Sequence, residues 1–266
     1  MPPPYENGST FRNLRLNVSR LKENGQASRR SNMGTGPGIR LRRAVRGVVV
    51  FLAFIGVAIA VRRMTNVVPV VVKGYRPPVV PANPRLAQLA ALDDLFARHP
   101  VLTLIHIVPG LLFMALGPFQ FNASIRARHL QWHRWNGRVF LVCGLVIGIS
   151  ALVMSFGMPA IGGVNQAAAT TLFAIFFLFA LCKAFWHIRR GEIALHRQWM
   201  IRAFAVGLAV ATIRPIVGIF FATSPLTGLT PHEFFGIAFW IGFVLHLMAA
   251  EAWVHLTQPQ PVAVIG

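Results

Sequence analysis

The chain has 266 residues, of which 55% are hydrophobic and 12% charged, and its formal net charge is +19. A soluble domain carries about 25% charged residues, and several uncharged runs here are long enough to cross a bilayer, so composition excludes an ordinary soluble domain. A basic excess often marks a nucleic-acid partner, but here Arg and Lys gather in the N-terminal tail and at the ends of apolar segments. That pattern fits membrane orientation and predicts no nucleic-acid binding.

Residues 1–45 are rich in Asn, Gly, Ser, Pro and Arg and show no hydrophobic period. Such a segment cannot bury enough apolar surface to offset its ordering entropy, so it reads as a disordered basic tail. No short apolar run with a small-residue cleavage site lies near residue 20, so a secretory signal is not expected. Beside a membrane, its arginines would hold anionic headgroups at about 1 kcal/mol each. The helix bundle is expected over 46–256, with a disordered C-terminal tail over 257–266.

The first span is read at 47–61, with Arg46, Arg62 and Arg63 snorkelling to the interfaces. Pro69, Pro77, Pro78, Pro81 and Pro84 predict an extended path through most of 64–99. Leu86, Leu89, Ala90, Leu92 and Phe96 near its end suggest a short amphipathic helix on the membrane surface. The second span is read at 100–121 and carries His106, with Gly110 one turn further on the same face. Small residues there let a helix or a flat ligand approach the backbone. The third, at 139–156, comes after a basic loop; Gly157-Met158-Pro159 and Gly162-Gly163 then break the chain before the fourth, at 166–186. The fifth is read at 203–223, interrupted by Arg214-Pro215, and the sixth at 234–254, with His246 and Glu251. The fold class is therefore all-α: a polytopic bundle of about six transmembrane spans with a disordered basic N-terminus.

Loops 157–165 and 224–233 contain no Lys or Arg, whereas the opposite connections carry Arg126, Arg128, Arg134, Arg138, Arg189, Arg190, Arg197 and Arg202. The expectation is a cell-membrane protein with both termini cytoplasmic and anionic lipid headgroups at the cytoplasmic face. The long 62–99 connection, with its six basic residues, is the exception that long translocated loops allow.

Between the fourth and fifth spans, the stretch Glu192 to Arg202 concentrates charge and aromatic surface. It rhymes with an earlier one: His133-Arg134-Trp135-Asn136-Gly137-Arg138 beside His196-Arg197-Gln198-Trp199-Met200-Ile201-Arg202. Each has a His-Arg pair, a nearby Trp and a second Arg at the opening of an apolar helix, a loose repeat of a two-helix unit. With His99-Pro100, His106, Gly110, Gly117-Pro118-Phe119-Gln120-Phe121, Arg190-Gly191-Glu192, Arg214 and Ala250-Glu251, this chain resembles the DUF2306 family of predicted bacterial multi-pass membrane proteins. The resemblance covers roughly 95–255, with the His-Arg-x-Trp-Met-x-Arg run its most specific part. It implies a membrane protein of this topology and supplies no mechanism.

Arg214 is the most informative residue. Twelve positions past Arg202, it sits ~18 Å into a ~30 Å apolar core, where an arginine costs at least ~2.5 kcal/mol. One reading has it snorkelling toward Asp93, Asp94 or Glu233; the other has it facing an internal cavity and holding an anionic group. His106, six residues into its span, lies at nearly the same depth. The leading expectation is a site that binds or moves a small or lipid-like anionic molecule. Its outer part would be His106 and Arg214, and its inner part His133, Arg138, His196 and Arg202.

A different class is a redox protein with b-type haem, which needs depth-matched histidines on facing helices. His246 with His133, His187 or His196 is the available set. A third is an assembly subunit with no site of its own. Purely structural roles also account for several residues. Trp132, Trp135, Trp186 and Trp199 read as an aromatic belt, Glu251 as a salt-bridge partner of Arg138 or Arg202, and Cys143 and Cys182 as packing residues. No catalytic motif and no metal-ligand spacing is present, and the seven acids make carboxylate chemistry improbable.

Overall fold

The computed structural model describes residues 37–82 and 84–258. Most of the basic tail, and the C-terminal residues from 259 onward, lie outside the described residues. Eight helices are described: α1 Pro37–Lys73, α2 Pro84–Ala97, α3 Pro100–Gln120, α4 Ala123–Arg128, α5 Leu130–Gly157, α6 Gly163–Arg189, α7 Ile193–Thr227 and α8 Pro231–Leu256. Six of them, α1, α3 and α5 to α8, are long and apolar enough to cross a membrane. A spanning backbone must satisfy its own hydrogen bonds, which only a helix or a closed barrel does. The contacts divide the chain after Val48. The described part of the first unit, residues 37–48, is helical; the second unit, from Val49 onward, holds the bundle and the cavity within it.

The helices are longer than the apolar runs that announce them. α1, expected to end at 61, continues through Pro69 to Lys73, so the non-helical path between α1 and α2 is confined, among the described residues, to 74–82. The two basic stretches, expected as loops, are helical. His133 to Arg138 lies in the opening turns of α5, and His196 to Arg202 in those of α7. Neither stretch contains a proline or a positive-φ glycine to stop a helix, and charged residues end an apolar run without ending a helix. α7 also passes through Pro215 without a break, as membrane helices tolerate when neighbours support the freed backbone.

Breaks fall where local chemistry demands them. Gly228, at φ 70°, takes the left-handed conformation that caps α7, its N–H bonded to the Ser224 carbonyl. Thr230 and Glu233 then form a reciprocal capping box at the start of α8. Gly191, at φ 77°, turns the chain between α6 and α7.

α3 packs on α5, α5 on α6, α6 on both α7 and α8, α7 on α8, and α3 touches α7. The core is aromatic. Phe113 of α3 stacks on Phe140 of α5 at 4.1 Å, meets Phe177 of α6 edge-on at 5.7 Å and lies 5.8 Å from Phe204 of α7. Aromatic pairs in these geometries add to simple area burial. From Val49 onward α1 touches its neighbours through side chains, such as Met114 of α3 against Gly56, and its backbone keeps its distance from the other described helices.

Candidate functional site

Between Phe113 and the end of the bundle that carries α2 lies a cavity of about 280 Å³. Its wall is mostly apolar and aromatic, with Phe96, Phe113, Phe173, Phe177, Phe239 and Phe243 among the lining rings. Two sequence-predicted residues, His106 and Arg214, meet on it, and Gly110 lines it as well. A Cβ built on Gly110 would meet no atom within 4 Å, so the glycine leaves that part of the cavity open.

Arg214 is half-buried by surface area, and its Nε is enclosed without a hydrogen-bond partner. Among the described residues the whole side chain has neither a hydrogen bond nor an ion pair. The charges acting on it include Arg63 and Arg62, both of its own sign. His106, on α3 and lining the same cavity, places Nδ1 3.0 Å from Ser150 Oγ. Ser150 has one hydrogen, and its Oγ lies 2.6 Å from the Val146 carbonyl and 3.1 Å from that of Ile147. Ser150 therefore donates to its own helix and accepts from the imidazole, which fixes the proton on Nδ1. Nε2 is left as a lone-pair acceptor with no partner among the described residues.

The acids toward which Arg214 would snorkel are engaged elsewhere. Asp93 of α2 accepts from Arg62 and Asn66 of α1, each at 3.0 Å, and pairs with Arg63. Arg63 also lies 4.2 Å over the Phe96 ring. Both Arg63 and Phe96 line the cavity, so this cluster fixes α2 across one side of it. The next acid, Asp94, accepts from the Tyr75 hydroxyl at 2.5 Å and from Arg98 Nε at 2.8 Å. The bond from Tyr75, reinforced by Arg98, holds the Asp94 carboxyl below the usual carboxylate range, and the same bond raises the Tyr75 phenol. Arg98 is raised in turn by its bond to Asp94. Sequence reasoning missed Arg63 as a cavity residue. Its partner Asp93, ~30 positions on, belongs to another helix, and no local pattern joins them.

A family model described as "Predicted membrane protein (DUF2306)" matches residues 103–254, more than half of the chain. The chain belongs to the DUF2306 family. No curated protein and no solved structure matches it.

In this DUF2306 protein the inner candidates are distributed over several separate contacts. Arg202 forms a two-point pair with Glu251 of α8 at 2.5 and 2.8 Å, which leaves Arg138 as the unused alternative. Arg138 is exposed on α5, 4.6 Å over the Trp135 ring, and borders a surface pocket with Gln131 and Arg134. His196 places Nδ1 2.8 Å from the Ala184 carbonyl and so donates to it. His133 Nδ1 is enclosed with no partner, one turn from Asn136, which donates to Gln120 Oε1 of α3 at 2.8 Å. His187 is buried and paired with Glu192, and His246 Nε2 lies 2.7 Å from Thr212 Oγ1. None of these four histidines lines the cavity with His106 and Arg214. Trp132, Trp135 and Trp186 are exposed near this end, as an aromatic belt requires.

Proposed function

We propose that the bundle binds or moves a small or lipid-like anionic molecule, with Arg214 on its charged group and His106 beside it. The observation that carries this reading is the unpaired Arg214 on the wall of an apolar cavity. A cation held in such a place without a carboxylate is costly unless an anion joins it. The surrounding charge has the same sense: Arg62 and Arg63 share the single carboxylate of Asp93. The lipid-like side of the proposal rests on the wall, which is largely aromatic and aliphatic, and on α1, whose backbone keeps its distance from the other helices.

In this reading the protein sits in the cell membrane with both termini on the cytoplasmic side, and Arg134, Arg138 and Trp135 hold anionic headgroups there. The test is a mass spectrum of the organic extract of purified protein. The wild type carries an anionic amphiphile that Arg214→Leu lacks. An extract with no such species, or an equal amount in both proteins, contradicts the proposal.

A further inference from the structure

On the proposal that the cavity takes an amphiphilic anion, the two polar residues on its wall also constrain the head of that ligand. Arg214 has only donors to offer, so it selects an acceptor, the anionic oxygen. His106 offers the opposite. The Val146 carbonyl takes the Ser150 proton, Ser150 takes the Nδ1 proton, and Nε2 remains as a lone pair on a ring that lines the cavity. With no carboxylate in the wall to offset a second cation beside Arg214, the ring rests neutral, and a neutral ring with Nδ1 protonated can only accept at Nε2.

We infer that the ligand head carries a hydroxyl or N–H donor next to its anionic oxygen, the donor on His106 Nε2 and the anion on Arg214, as in a hydroxy-carboxylate. The rest of the ligand is apolar. A cavity of roughly 150 Å³ accepts one benzene ring; on that scale this one, at about 280 Å³, holds about eleven non-hydrogen atoms, the head included. A simple fatty carboxylate would satisfy Arg214 and leave Nε2 dry and unpaired, which a site built to hydrogen-bond a hydroxyl discriminates against.

The probes are 3-hydroxydecanoate and decanoate, titrated by calorimetry into the full-length protein in nanodiscs. Wild type binds the hydroxy acid at least roughly tenfold more tightly, and His106→Leu binds both equally, near the wild-type affinity for decanoate. Equal affinities in the wild type, or a hydroxyl preference that survives in His106→Leu, overturn this inference and leave the anion proposal standing. Binding of neither acid to the wild type overturns both. Because the variant can fail to fold, nitrogen NMR of the ¹⁵N-histidine wild type supplies a second reading. The unprotonated Nε2 signal assigned to His106 moves on adding 3-hydroxydecanoate and not on adding decanoate. A signal unmoved by the hydroxy acid overturns the inference.

Discussion

Arg63 and Arg214 line the same cavity, and only Arg63 has a carboxylate. The two arginines therefore answer differently to removal. Arg63 fastens α1 to α2 through Asp93, so Arg63→Leu loosens that end and strands part of a charge cluster. Arg214→Leu removes a cation without a partner, and replacing an uncompensated buried charge by an apolar side chain is neutral or stabilising. Thermal unfolding in detergent should give ligand-free Arg214→Leu a Tm no lower than wild type, and Arg63→Leu a lower one. A large loss of Tm in Arg214→Leu would mean that the arginine has a structural partner.

The pair of Arg202 and Glu251 joins α7 to α8, and with Glu251 side-chain exposure at 39% it is partly screened. A double-mutant cycle of Arg202→Leu and Glu251→Gln, read by thermal or denaturant unfolding, should return a coupling of about 1 kcal/mol. A coupling of zero would show that this ion pair does not help to hold α7 to α8.

Two glycines of α3 make opposite predictions. A Cβ on Gly117 would lie 2.2 Å from the Phe204 ring, which is itself stacked on Phe121 at 4.9 Å and has little room to move. Gly117→Ala should cost roughly 1–3 kcal/mol. At Gly110 the added atom meets open space, so Gly110→Ala gains helix propensity of up to roughly 1 kcal/mol. Gly110→Leu should fold and lose ligand, because its side chain fills the cavity. Paired melting curves and extracts of the three variants check this.

Outside the spans, Asp94 and Tyr75 give a pH signature. The folded carboxyl is depressed below its unfolded value, so its contribution is present above the ordinary Asp range and is lost as pH falls through the lowered folded value. Tyr75 moves the other way: donating to Asp94 favours the neutral phenol, so it ionises above the usual tyrosine range. The chain has two tyrosines, and absorbance titration should resolve a late one that Asp94→Asn brings down. Tyrosinate formation unchanged by Asp94→Asn would contradict the bond.

The bundle was legible because lipid imposes one solution on a long apolar run, and spans near 100–121, 166–186 and 234–254 reappear as α3, α6 and α8 with ends moved by a few residues. Helix ends were less legible where charge interrupts the apolar run. His133 to Arg138 and His196 to Arg202 extend helices past the apolar stretch, as Lys73 does in α1. Depth counting along two helices puts His106 and Arg214 at nearly one level, and both line one cavity. It could not supply Arg63 or Phe96, which arrive by the pairing of α1 with α2, nor the Ser150 contact that sets the imidazole proton. Those depend on which helix neighbours which, and hydropathy is silent on that.

Whether Arg214 holds an anion is tested most directly by the affinity of decanoate and of 1-decanol, measured on wild type and Arg214→Gln in nanodiscs. A charge-assisted hydrogen bond predicts that the variant loses roughly tenfold or more for decanoate and nothing for the alcohol. If Arg214→Gln binds decanoate as tightly as the wild type, the arginine does not hold the anion, and the proposed site is wrong.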